Sequence, residues 1–217
     1  MAKDDFAFRA FTDNIVIGYP IVDDGEIELG TIYRVLASVQ TLMAIKGFFI
    51  RGAVSIGDLY MDDIVVFGNG LVQAYKGEQE LARDPRIVLS PSAMRYVDHH
   101  LKYYGNRPHA PQNTHLFKDA DGQYFINYLD ATIEDEDGSD AIDRDIIYAH
   151  KEVIEKKLAR YAKVPAIWSK YMWSARYHNF FCKENKHLEI DDMLIDTNKI
   201  SPEPSRIVVS KFDECPF

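Results

Sequence analysis

Short runs of β-branched residues alternate with longer stretches of helical spacing along this chain. That alternation restricts it to folds that layer helices on a sheet. Between Phe6 and Pro20 two apolar runs flank the turn-forming Thr12-Asp13-Asn14, which predicts a hairpin with Asp13 at its tip. Asp and Asn are ordinary turn formers, and a carboxylate at such a tip can also meet a metal ion. The acidic stretch from Val22 to Glu28 reads as a loop. From Leu29 to Lys46, Ile32, Leu36, Val39, Leu42 and Met43 recur at three- and four-residue spacings, an amphipathic helix ended by Gly47. The run from Phe48 to Gly57 predicts a buried strand, Met61-Asp62-Asp63 a turn, and Ile64 to Gly68 the return strand of a second hairpin. A helix is expected over Asn69 to Arg83 and a short strand over Arg86 to Ser90. Ser90-Pro91-Ser92 then opens a helix to about Tyr104, because Ser caps well and Pro fits the first turn. The expected fold is α+β, with helices covering an antiparallel or mixed sheet.

At Gly105 the composition becomes turn-rich, which suggests a domain over residues 1–105 and a C-terminal α+β extension over 106–217. The extension is expected to hold a hairpin folded at Ala120-Asp121-Gly122. Asp130 to Asp145 reads as a solvated acidic loop, since its spacing fits no calcium-loop pattern. Two amphipathic helices follow, from Asp145 through Tyr161 and from Ala166 to Lys183, whose aromatic stripes read as core. Met193-Leu194-Ile195 and Arg206 to Val209 could add two short strands. The adjacent His99 and His100 fall on different helix faces, and His150 and His178 lack neighbours spaced as metal ligands, so all four read as structural or exposed.

Charge and cysteine usage narrow the function. The 217 residues carry a formal net charge of −9, which argues against coating nucleic acid or an anionic membrane; a charged substrate needs a local site. Two cysteines, Cys182 and Cys215, make neither a disulfide framework nor a Cys-based zinc site and suit a reducing cytoplasmic setting. The start MAKDDF carries no apolar signal region, and no run of about 18 apolar residues suggests a membrane span. Motifs for a Walker loop, a nucleophile elbow, a zinc protease or a dinucleotide fold are missing from the sequence.

The segments FTDNIVI, RGAVSIGDLY, VVFGNGLVQAY, ARDPRIVLS and KYMWSARYHN, in this order, resemble the class III nucleotide cyclases. They look closest to the small bacterial Pycsar pyrimidine cyclases of antiphage signalling. The resemblance implies a ferredoxin-like sandwich, a homodimer, and a nucleoside triphosphate bound with two divalent cations, Mn²⁺ or Mg²⁺. There the ribose 3′ oxygen attacks the α-phosphate and pyrophosphate leaves; the cations lower the pKa of the attacking hydroxyl and neutralise growing phosphate charge. By this resemblance Asp13 matches the second metal-binding aspartate, with Asn14 beside it on the nucleotide. Arg9 falls where purine cyclases carry a base-reading Lys, and Val65 where they place a polar base partner. An Arg fork donates to the carbonyl oxygens of uracil or cytosine, whereas Val65 offers nothing to an exocyclic amine. The transition-state Asn and Arg positions fall on Val72 and Lys76, with Asn69 or Gln73 as substitutes for the Asn. Arg51 is a phosphate-binding or structural residue.

The family's opening strand, which bears its first metal aspartate, has no counterpart in Met1 to Asp5, and an upstream origin for it is the leading expectation. The implied activity is cyclisation of UTP or CTP to the 3′,5′-cyclic monophosphate, an antiviral second messenger. The alternative is a non-catalytic nucleotide-binding or scaffold protein.

Overall fold

The computed structural model describes residues 6–11, 14–105, 111–136 and 139–200. Strands β1 (Ala7–Phe11) and β2 (Asn14–Gly18) form the expected antiparallel hairpin, in a register that sets Arg9 opposite Val16 and Phe11 opposite Asn14. Thr12 and Asp13, the predicted metal ligand, lie outside the described residues.

Helix α1 (Glu26–Ile45) starts three residues earlier than its apolar pattern suggests. Gly25, at φ 72°, turns the chain into it, and the acidic Glu26 and Glu28 suit the positive end of the helix dipole. Its buried face is rotated from the predicted stripe: Leu29, Tyr33, Ala37 and Ala44 are buried with Gln40 and Thr41, whereas Leu42 is exposed. Two buried polar side chains are accepted there because each satisfies a main-chain carbonyl. Gln40 Nε2 donates to Pro85 O (3.2 Å) and Thr41 Oγ1 to Tyr128 O (2.5 Å).

The next region departs from the sequence reading. Of the run from Phe48 to Gly57 only β3 (Gly52–Val54) is strand, and it pairs in parallel with β6 (Ile87–Leu89) across helix α2 (Asn69–Glu80). Parallel neighbours require such a crossover. The second hairpin is instead β4 (Tyr60–Met61) with β5 (Val66–Phe67), in a separate two-stranded sheet. Helix α3 (Pro91–Tyr104) begins as expected: Ser90 Oγ accepts from Ala93 N, and Pro91 occupies the first turn.

After the short α4 (Pro111–His115), β7 (Leu116–Lys118) and β8 (Tyr124–Ile126) make the hairpin expected around Asp121. It joins the main sheet, whose order is β3-β6-β8-β7. One buried core runs from Leu29 on α1 through Val88 and Phe125 to Phe181. The 1–105/106–217 division therefore coincides with no break in the sheet or the core. Arg86, fully buried before β6, binds Asp119 and Asp121 in the β7–β8 turn and sits against the rings of Phe125 and Trp173 (5.9 and 5.8 Å), which also contact each other.

The acidic run is not a loop. It holds a 3-10 turn (Tyr128–Thr132) and the antiparallel hairpin of β9 (Ile133–Glu136) with β10 (Ser139–Ile142). Asp143 then caps α5 (Arg144–Arg160) by accepting from Ile146 N at 3.1 Å. Helix α6 (Pro165–Glu184) packs on α5 through Met172 and Ala175 against Ile154 and Leu158. The strand expected at Met193 to Ile195 is a 3-10 turn (Asp191–Met193) and coil. Asn179 takes the place of a strand partner: its amide donates to Ile195 O and accepts from Ile195 N, both at 2.8 Å. A four-residue helix α7 (Thr197–Ile200) follows, and the strand expected at Arg206 to Val209 lies outside the described residues.

Candidate functional site

Two segments far apart in sequence meet where β1 crosses the β4–β5 turn. Arg9 points from the half-buried face of β1, and its Nε donates to Asp62 O at 2.7 Å while Nη2 reaches Asp63 Oδ1 at 2.5 Å. Its Nη1 donates to Phe8 O at 2.8 Å. A guanidinium carries five N–H groups, so two donors, one on each terminal nitrogen, remain for a ligand.

Asp62 shapes the turn that holds this arginine. Its Oδ1 accepts from the backbone N–H groups of Ile64 and Val65, each at 2.8 Å, and its Oδ2 from the Tyr60 hydroxyl at 2.9 Å. The Val65 and Ile64 amides, then Tyr60, hold the Asp62 carboxyl below the usual carboxylate range. The same bonds place Val65, with its exposed apolar side chain, on the turn that grips Arg9.

Below the turn, the second hairpin enters α2 through a glycine junction. Gly70 N donates to Asp58 O at 2.9 Å, and Ser55 Oγ donates to Gly70 O at 2.6 Å. A Cβ on Gly68, whose φ is 141°, would sit 2.2 Å from Asp58 O; one on Gly57 would sit 3.0 Å from Gly70 N. Backbone approaches backbone here more closely than any side chain allows.

The junction sets where α2 begins and so aims its faces. Asn69, Gln73 and Lys76 share one face at spacings of four and three, while Val72 and Tyr75 project exposed on the next. Arg51 does not join them. It pairs with Glu78 (Nε–Oε1 2.5 Å) and donates to Ala82 O at 3.4 Å, roughly 13 Å beyond Asn69 along the α2 axis at 1.5 Å per residue. Asn14 stands at the start of β2 on the exposed side.

The structure thus groups Arg9 with Val65 and collects Asn69, Gln73 and Lys76, but separates Arg51 from both. Asp62, Asp63 and Ser55 escape sequence reasoning: a pair of aspartates between β-branched runs reads only as a turn, and no local pattern encodes a contact 53 residues away. Among the described residues no group of three His, Cys, Asp or Glu is placed to hold a metal ion. Around the hairpins large apolar side chains face solvent, among them Phe8, Ile15, Phe67, Val72 and Ile64, the last 89% exposed. No helix of the described residues is long and apolar enough to cross a membrane.

Comparison with known proteins gives no match: no family model fits the chain, and no curated protein or solved structure is similar enough to count.

Proposed function

We propose that this chain is a pyrimidine nucleotide cyclase, a phosphorus-oxygen lyase that converts UTP or CTP to the 3′,5′-cyclic monophosphate and pyrophosphate. The observation that carries this reading is Arg9 held by the β4–β5 turn, since the strand that leads into the first segment of the resemblance meets there the turn that leads into the third, with donors left over. Arg9 presents its remaining N–H groups to pyrimidine carbonyl oxygens. Val65 lines the same place with an apolar side chain that gives an exocyclic purine amine no partner. Lys76 supplies a positive charge for the triphosphate, and Asn69 or Gln73, one turn apart on its face of α2, orients the ribose. Asp13, with Asn14 beside it, is the residue assigned to the cations. Asp62 is engaged by the Ile64 and Val65 amides and the Tyr60 hydroxyl, and Asp63 by Arg9 through one carboxylate oxygen. Two divalent cations, Mn²⁺ or Mg²⁺, supply phosphate charge neutralisation when bound. The exposed apolar surface of the hairpins and α2 supports a homodimer.

A second reading, a non-catalytic nucleotide-binding or scaffold protein, is favoured by Val72, which offers no polar group, and by Arg51, committed to Glu78 away from the other candidates. Incubation with Mn²⁺ or Mg²⁺ and each of the four NTPs separates the two. A cyclic pyrimidine nucleotide is expected from wild type, and Asp13→Ala should lose product while remaining folded, because one carboxylate at a turn contributes little stability. Absence of cyclic product from all four NTPs, in protein that includes the upstream strand the resemblance implies, overturns the cyclase reading; an Asp13→Ala protein that fails to fold returns Asp13 to a structural role.

A further inference from the structure

Helix α1 carries its strongest apolar stripe on the side turned away from the core. Five of its seven buried residues, Gly30, Ala37, Gln40, Thr41 and Ala44, are small or polar. Ile32, Val35, Val39 and Leu42 run along the other side, where Val35 is 43% and Leu42 55% exposed. None of these four belongs to either hydrophobic cluster of the core. They follow one another at spacings of three, four and three. A mean spacing of 3.5 residues keeps one seam against a second helix wound beside it, which is the pattern of a two-stranded coiled coil.

Charge closes the seam at both ends. Glu28 lies four residues before Ile32 and Lys46 four after Leu42, so the two continue the same repeat, and neither makes an ion pair among the described residues. Reversing the direction of the helix exchanges these ends and leaves the pattern intact. In an antiparallel pair of α1 helices about a two-fold axis, Ile32 meets the partner's Leu42, Val35 the partner's Val39, and Glu28 the partner's Lys46, each layer occurring twice. A parallel pair instead sets Glu28 on Glu28 and Lys46 on Lys46, which like-charge repulsion disfavours. Beyond the ion pairs Phe48, 62% exposed, comes level with the partner's Ile27, 80% exposed, and lengthens the apolar contact.

We propose that α1 is a self-association surface: two copies of the chain pair through antiparallel α1 helices, with Ile32, Val35, Val39 and Leu42 as the seam and Glu28 and Lys46 as its terminal ion pairs. This surface is separate from the hairpin surface assigned to the cyclase dimer and does not rest on the nucleotide reading. One helix roughly 30 Å long gives a contact below the total of about 1,200 Å² that stable interfaces bury. The seam is therefore weak, with a dissociation constant of roughly 0.1–1 mM. It joins chains where they are concentrated or already held near one another by a second contact.

The test is sedimentation equilibrium of the full chain carrying Phe8→Ser/Ile64→Ser, which removes the hairpin contact, from about 10 µM to about 1 mM. The mass should rise from one chain toward two. Adding Leu42→Glu should hold it at one chain. Glu28→Lys or Lys46→Glu alone should weaken association by about tenfold, and Glu28→Lys/Lys46→Glu together should restore it to within about threefold of the unreversed protein. Each reversal opposes the dipole of α1, so an effect acting through helix stability would be greatest in the double reversal rather than relieved by it. Circular dichroism checks that each variant is folded. Three results overturn the proposal. The first is a mass of one chain at every concentration without Leu42→Glu, which would mean that something other than a second copy covers the stripe. The others are association unaffected by Leu42→Glu, and a double reversal no better than the single ones. None of them bears on cyclic nucleotide synthesis, which stands or falls by the NTP assay.

Discussion

Arg9 shows how one side chain can be positioned by contacts its own neighbourhood does not announce. Strand alternation places it on the half-buried face of β1, and an Arg there could simply lie along the surface. Three hydrogen bonds, two of them to the Asp62-Asp63 turn, hold its guanidinium plane instead. Lysine could not do the same, because a single ammonium cannot span two acceptors and still present a planar fork. In the cyclase assay, Arg9→Ala is therefore expected to reduce the preference for UTP and CTP over ATP and GTP by roughly tenfold, with a smaller effect on triphosphate affinity. The kcat/KM values for the four NTPs read this directly, and equal losses on all four would remove Arg9 from base selection.

Among the elements, α2 is set by backbone contact at its start and side-chain contact along its length. Gly68 adopts a left-handed φ within 2.2 Å of where its Cβ would strike Asp58 O, and Gly77 lets α2 settle on Ala53 of β3. Gly68→Ala should cost about 2–4 kcal/mol, combining backbone strain with displacement of the junction, and urea unfolding measures it. An unchanged midpoint would mean that the junction is loose.

Helices α5 and α6 are joined by a buried polar chain. Tyr128 O–H donates to His150 Nε2 (2.9 Å), His150 Nδ1–H to His178 Nδ1 (3.0 Å), and His178 Nε2–H to Met193 O (2.9 Å). This order satisfies both imidazoles in their neutral form. Burial, with repulsion from His178, lowers His150 well below its ordinary value, and burial lowers His178 to about 4. The unfolded chain thus binds more protons than the folded one below about pH 6.5, so stability is full above that value and falls as the pH drops toward 4; His178 alone accounts for about 3 kcal/mol of that loss, and His150 adds to it in the same direction. Urea midpoints at pH 7 and 4.5 test this, and His178→Asn should reduce the difference without abolishing it, because His150 remains buried; equal midpoints in wild type would contradict the burial.

Over the whole molecule, the sheet and core continue across residue 105, while the two small hairpins carry their apolar side chains outward. If that surface is covered by a second copy, as the cyclase reading requires, Phe8→Ser/Ile64→Ser should convert a dimer to a folded monomer. Neither side chain is buried within the chain, so the fold should not suffer. Light scattering after size exclusion gives the mass, and a wild type that is monomeric at tens of micromolar would count against the dimer.

The sequence by itself determined the types of most elements: the first hairpin, α1, α2, α3 with its Ser90 cap, the Asp121 hairpin and the α5–α6 pair all follow from spacing and capping, which are local. Only the tertiary structure decided the partners. β3 pairs with β6 rather than with its neighbour in sequence, since three short residues of strand carry no signal about the edge they will meet. The buried face of α1 includes Gln40 and Thr41 because carbonyls at Pro85 and Tyr128 await them, a fact no periodicity contains. The site divides in the same way. Asn69, Gln73 and Lys76 share a face through helical repeat alone, but Arg9 meets Asp62 and Asp63, and Arg51 is drawn away to Glu78, through contacts that exist only once the chain has folded.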